Sequence, residues 1–366
     1  MVTLLWHSGT GYDFFVSLYV LHHPGEFGLR PSWAAGVRSR LPAEQRDFLE
    51  HAQSFLHVPM TWFATLQTAQ CDAADALAAL ERLSAEKRFE ALSVQHNTPL
   101  DLKQALNGIA ERGAWNAADL EAVRVAYARR YTALHNEDLK ELCNAWARPA
   151  EFSERYLEVL RTYYQVFFAE EEERIRPVLK KGLEEAQELA NRLSPGQLVE
   201  RLSRGVQLPQ VDELIQLDLA LSYWSSPLIF SSPTGPGRMY FLFGVRSEPA
   251  GLVPGDHVPG GLVETLKALA DPTRLRILRY LSREPMTPSQ LSRQLRLRAP
   301  TVVHHLKELR LAGLVQISFL VEDEKRYALR REALDGLRTL MEDFLSGELP
   351  VDETPAESGG RVESDE

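Results

Sequence analysis

The chain has 366 residues, a formal charge of −10, 44% apolar residues and 25% charged residues. This is the balance of a globular chain with room for two or three domains, and it excludes collagen-like, low-complexity and membrane-embedded classes. The two cysteines, Cys71 and Cys143, offer neither a disulfide framework nor a metal-ligand spacing, and they suit a reducing cytoplasm.

The opening MVTLLWHSGTGYDFF lacks the basic segment and long apolar run of an export signal. No stretch approaches a membrane span, so a cytoplasmic protein without membrane contact is expected. Residues 1–205 read as a helical domain, for sensing or dimerisation. Apolar residues at helical spacing mark Tyr12 to Leu21, Ala43 to His57, Ala73 to Leu83 and Leu100 to Arg112. One long helix is expected over Asn116 to Ala147, with Leu120, Val123, Tyr127, Tyr131 and Leu134 on one face. A longer one is expected over Glu151 to Leu193, kinked or broken at Pro177. Helices of this length suit a bundle or a dimer arm.

Around Val206 the texture changes. Leu214 to Leu221, Leu228 to Ser232 and Met239 to Val245 predict three short strands, and the SPTGPG run at 232–237 is turn chemistry. Residues 206–246 are therefore expected to form a small antiparallel sheet. Residues 247–258, with several prolines and glycines, read as a linker.

Residues 259–346 carry the strongest local signals. Asp271 can cap a helix that has Pro272 in its first position, with Leu275, Leu278 and Leu281 as its apolar face. Thr287 with Gln290 is a capping box for a short helix that buries Leu291 and Leu295. Pro300 opens a third helix whose buried stripe is Val302, Leu306 and Leu309, and Gly313 stops it. Two short helices joined by a tight turn make a helix-turn-helix, whose second helix enters the major groove. Between residues 272 and 310 nine cations face only Glu284 and Glu308. Such a basic patch in an acidic chain fits phosphate better than a merely solvated face. After Gly313, Val315, Ile317 and Phe319 alternate with polar residues. Arg326 to Leu329 makes the return strand of a wing whose tip is Glu322-Asp323-Glu324. Leu334, Leu337, Met341 and Phe344 mark a final amphipathic helix. The tail at 347–366 is acidic, has no apolar period and is expected to be disordered.

The segments VETLKALADPTRLRILRYLS and APTVVHHLKELRLAGLV resemble the ArsR family of bacterial and archaeal winged-helix regulators. The resemblance covers residues 259–346. The order of helices, WSSPLIF sheet and winged helix also resembles an ArsR subgroup with a long N-terminal domain. The family implies a homodimer on a pseudo-palindromic operator, paired through the helices at Leu262 to Ala270 and Arg331 to Leu345. Leu266, Leu334, Leu337, Met341 and Phe344 would then form the dimer face. Arg298, Ala299, Thr301, Val303, His304, His305, Lys307, Arg310, Lys325 and Arg326 would face DNA. Arg298, Ala299 and Val303 stand where family members usually carry serine or glutamine. Ala299 and Val303 then offer contact to thymine methyls, and Arg298 reaches phosphate or guanine. The cysteine pair of metal-sensing members has no counterpart in this stretch.

Other chemistry finds little support. His22-His23 with Glu26, and His51 with His57, lack metal-ligand spacing. Gly9-Thr10-Gly11 and Gly235-Pro236-Gly237 belong to no phosphate-binding loop. The six tryptophans read as core. The expectation is a mainly α protein with small antiparallel β elements, ending in a winged helix-turn-helix. It is not an enzyme and has no cofactor, catalytic residue or resident metal. Its partners are duplex DNA, a second copy of itself and a small-molecule effector at the N-terminal domain. The competing expectation is a winged-helix interaction protein that no longer reads DNA sequence.

Overall fold

Strand β1 (Thr3–His7) opens the chain and pairs in parallel with β3 (Gln216–Ser222), more than two hundred residues away. The computed structural model describes residues 2–66, 68–129, 131, 134–226, 228–246, 260–319 and 325–346. The linker expected at 247–258, the wing tip and the acidic tail lie outside them.

Helices fill the space between these two strands. They are α1 (Gly11–His22), α2 (Pro31–Arg38), α3 (Ala43–Phe55), α4 (Met60–Thr65), α5 (Ala73–Glu81) and α6 (Ala85–Ser93). Then come α7 (Leu100–Arg112), α8 (Ala117–Ala128), α9 (Asn136–Ala147), α10 (Pro149–Tyr163), α11 (Ala169–Ala190) and α12 (Pro195–Leu202). The single helix expected over Asn116 to Ala147 is two, α8 and α9. Asn116 caps α8 with a reciprocal capping box, and His135 begins α9 afresh. The expected break at Pro177 does not occur. Ile175 and Leu179, on either side of it, are both buried, and that packing offsets the lost hydrogen bond. The irregularity lies earlier, in a π-helical turn at Tyr164–Phe168, which brings the neighbours Phe167 and Phe168 both into the core.

The sheet differs from the antiparallel one expected. Its order is β1-β3-β5-β4, with β4 at Phe230–Gly235 and β5 at Arg238–Gly244. β1, β3 and β5 run parallel, and only the β4–β5 hairpin is antiparallel. Helices pack against β3, so its residues from Leu217 to Ser222 are all buried, the polar Asp218 and Ser222 included, rather than alternating between core and solvent. The expected boundary near residue 205 separates no two cores: one apolar cluster runs from Val2 through Trp146 to Phe243.

The second core belongs to the C-terminal unit. It contains α13 (Gly260–Leu269), α14 (Pro272–Leu281), α15 (Pro288–Leu295), α16 (Ala299–Leu311), β6 (Val315–Phe319), β7 (Lys325–Leu329) and α17 (Arg331–Ser346). Ile277, Leu278, Leu281, Leu291, Leu295, Val302, Leu306 and Leu309 fill it. Leu275, expected there, is exposed, and Ile277 takes its place. The mainly helical class with a C-terminal helix-turn-helix holds. β2 (Val206–Gln207) leaves the first unit to pair in parallel with β6 of the second. Among the described residues no helix is long and apolar enough to cross a membrane.

Candidate nucleic-acid interface

The helix-turn-helix is set by local chemistry. The Asp271 carboxylate accepts the backbone N–H of Arg274 at 2.8 Å and starts α14. Thr287 and Gln290 cap each other's backbone N–H groups, at 3.2 and 2.8 Å, and start α15. Arg296 takes a left-handed turn, with φ of 56°, that ends α15 and redirects the chain into α16. Gly313, at φ of 68°, closes α16.

Val302, Leu306 and Leu309 anchor α16 inward, which turns Arg298, Ala299, Pro300, Thr301, Val303, His304 and Lys307 outward. All seven are exposed, so the N-terminal half of the helix presents one open face. Arg293 and Arg296 are exposed beside it, Arg276 and Arg279 are exposed on α14, and Arg283 is exposed just after it. Lys325 is exposed and Arg326 half-buried on the described part of the wing.

Two of the nine cations are spent internally. Arg274 donates to the carbonyls of Ala268 and Lys267, both at 2.8 Å, and so caps the end of α13. Arg310, expected to face DNA, is buried. It donates to the carbonyls of Ser203 at 3.2 Å and Arg204 at 3.3 Å, and burial pushes its pKa down to about 10. Its charge meets the carbonyl end of α12, so it is not available to DNA. The row Val302, Leu306, Arg310 at four-residue spacing was the sequence signal for this inward placement.

His305 leaves the outward face too. Its side chain is 15% exposed, with Nδ1 4.0 Å from the Asp271 carboxylate, so it packs against the start of α14. Of the expected dimer residues, Leu266, Leu334 and Met341 are exposed, and Leu337 and Phe344 are half-buried. α17 buries none of its residues, although it packs on α13. Leu262, at the start of the expected pairing helix, is buried within its own chain.

Two histidines of the N-terminal unit, His22 and His57, are shielded from solvent, whereas His51, His96 and His135 are exposed. His22 Nδ1 donates to the carbonyl of Leu18 at 2.8 Å, and burial pushes the pKa of His22 and of His57 down to about 4. His57 stacks on Tyr131 rather than joining His51, which sits by Asp138.

A family model described as a helix-turn-helix domain matches residues 269–317, which run from the end of α13 through α16 into β6. Among curated proteins and solved structures, none matches the chain.

Proposed function

We propose that the chain is a DNA-binding transcriptional regulator of the ArsR type that occupies its operator as a dimer and is modulated through its N-terminal unit. The observation that carries this reading is the open face of α16 from Arg298 to Lys307, built on a helix-turn-helix and flanked by exposed Arg293 and Arg296. Thr301 and His304 are the polar groups suited to base edges, and Val303 and Ala299 are suited to thymine methyls. Arg298 and Lys307 supply phosphate contacts. The exposed Leu266, Leu334 and Met341 are the surface a second copy would cover. The regulator reading assigns no catalytic role and no cofactor to the chain. A genomic binding map at physiological salt tests it: discrete enriched sites sharing a two-fold motif are expected, and uniform occupancy sinks it.

A second reading, a winged-helix interaction protein, is favoured by Ala299 and Val303 on the outer face and by the diversion of Arg310 and His305 inward. The same map without any motif would favour it.

A further inference from the structure

The end of α16 away from its open face is joined to the N-terminal unit by several contacts. α12 ends at Ser203. Gly205 N–H returns to the Glu200 carbonyl at 2.7 Å, which leaves the carbonyls of Ser203 and Arg204 facing outward. The Arg310 guanidinium fills that place, a cation on the negative end of a helix. Immediately afterwards β2 adds to the edge of the wing sheet. Val206 lies opposite Ile317 and Gln207 opposite Ser318, and Ile317 N–H donates to the Gly205 carbonyl at 3.2 Å.

The chain is strained where it makes this junction. Arg204 holds φ of 56°, a left-handed conformation that favours glycine. Its guanidinium donates to the Arg246 carbonyl at 2.7 Å, at the other end of the N-terminal unit's described chain. Gly205 follows at φ of 99°, and a Cβ there would stand 2.7 Å from the Gln316 Cβ. On α13, Glu264 makes a separate approach. A Cβ at residue 28 would stand 2.7 Å from its Oε1, and burial raises the pKa of its carboxyl.

We propose that Arg310 is a positioning residue, which with the 203–207 segment fixes the orientation of the DNA-reading helix against the N-terminal unit. Thr301 and Arg310 are nine residues apart on one helix, so the clamp acts on a lever of roughly 14 Å. The open face of α16 stays exposed while the clamp is closed, so the contact orients the helix rather than covering it. A shift of α12 is thereby transmitted to α16 without passing through the 247–259 connection. Its consequence for operator choice rests on the DNA-binding reading, but its geometry does not.

The test uses the full chain without DNA. Spin labels placed by Lys181→Cys on α11 and Gln294→Cys on α15 report the distance between the two units, since the native Cys71 and Cys143 are buried. A single narrow distance distribution is expected for the parent. Arg310→Ala should broaden it, and amide exchange at Ile317 should accelerate at least tenfold while Leu306 and Leu309 keep their protection. Arg310→Lys keeps charge and stem but lacks the two-pronged guanidinium, and should give an intermediate width. An unchanged distribution in both variants overturns the proposal, as does equal acceleration of exchange throughout the C-terminal unit. Should Arg310→Ala fail to fold, Arg310→Lys decides alone. Failure of the DNA-binding reading is separately visible, as a parent with a narrow distribution and no preference for any duplex.

Discussion

The carboxylate of Asp13, in the first turn of α1, accepts the backbone N–H of Trp224 at 2.9 Å, just beyond the end of β3. The same carboxylate takes the N–H of Tyr223 at 2.9 Å and the hydroxyl of Ser222, while the Trp224 indole donates to Glu171 on α11. One buried acid thus ties the first helix to the centre of the sheet, and a neighbouring acid ties the sheet to the long helix. Asp13→Ala would strand three donors in a site without solvent. A loss of about 3 kcal/mol or more is expected, since each unmet buried group costs roughly 1–3 kcal/mol. Urea denaturation should show a lower midpoint with an unchanged slope. A midpoint within error of the parent would show that the network contributes nothing.

Acid should destabilise the N-terminal unit through His22 and His57. Their folded pKa, about 4, lies below the ordinary 6.5, so each contributes stability above 6.5 that is lost as pH falls towards 4. Asp13 acts oppositely. Burial pushes its pKa up to about 6 from 3.8, so its contribution is complete below 3.8 and fades as pH rises through 6. Two histidines oppose one aspartate across the shared window, so the sum favours stability at higher pH. Denaturation midpoints from pH 4 to 7 should therefore rise. His57→Phe should flatten the curve, and an equally steep curve in that variant would remove His57 from the account.

Legibility in the sequence follows the range of the interaction. Asp271, Thr287, Gln290 and Gly313 act on partners within five residues, so the helix-turn-helix could be read directly. Its outward residues followed from the stripe of Val302, Leu306 and Leu309. β1 could not be read, because TLLWH becomes a strand only through Gln216–Ala220, which no local pattern brings to it. The parallel sense of the sheet was lost for the same reason. Arg310 was misread because charge was weighed before position. It continues the buried row at 302 and 306, and its acceptors lie a hundred residues earlier. Leu275 was expected in the core where Ile277 is buried, because both fit an amphipathic helix and only packing chooses between them.

Phosphate contacts should now divide into two groups. Arg298→Ala and Lys307→Ala remove exposed cations and should each lower the salt slope of DNA binding by about one unit, alike on all sequences. Arg310→Ala should leave the slope unchanged, because that charge already faces carbonyl groups. Slopes measured by titration at several salt concentrations decide this. A drop for Arg310 equal to that for Lys307 would return it to the DNA face.

Base reading should fall to the residues left outside. Thr301 stands near the start of α16 and His304 lies opposite the buried stripe, whereas His305 is held near Asp271. Thr301→Ala and His304→Ala should each cost about 1–3 kcal/mol on the operator alone, with non-specific affinity kept. His305→Ala should act through stability instead. Competition of operator against scrambled duplex at one salt concentration separates the two effects. Full operator preference in both Thr301 and His304 variants would place base reading elsewhere.

The assembly prediction turns on α17. Leu334 and Met341 are 38% and 39% exposed, Leu345 is 77% exposed, and Leu266 on the neighbouring α13 is 42% exposed. A helix that leaves this much apolar surface in water gains by pairing, at roughly 25 cal/mol per Å² removed from solvent. Two copies related by a two-fold axis would cover one another's α13–α17 face and present two copies of α16 to successive half-sites. Sedimentation equilibrium of the full chain at micromolar concentration should therefore report a dimer. Leu337→Glu and Met341→Glu each place a carboxylate in the face and should shift the mass towards the monomer, and for Met341, which is exposed within its own chain, the denaturation midpoint should fall only by what pairing had supplied. The same variants should bind a single half-site as the parent does and lose roughly 10²–10⁴-fold on the paired site, where linkage between two reading helices supplies the affinity. A parent that sediments as a monomer, or variants that stay dimeric, would move the pairing surface away from α17.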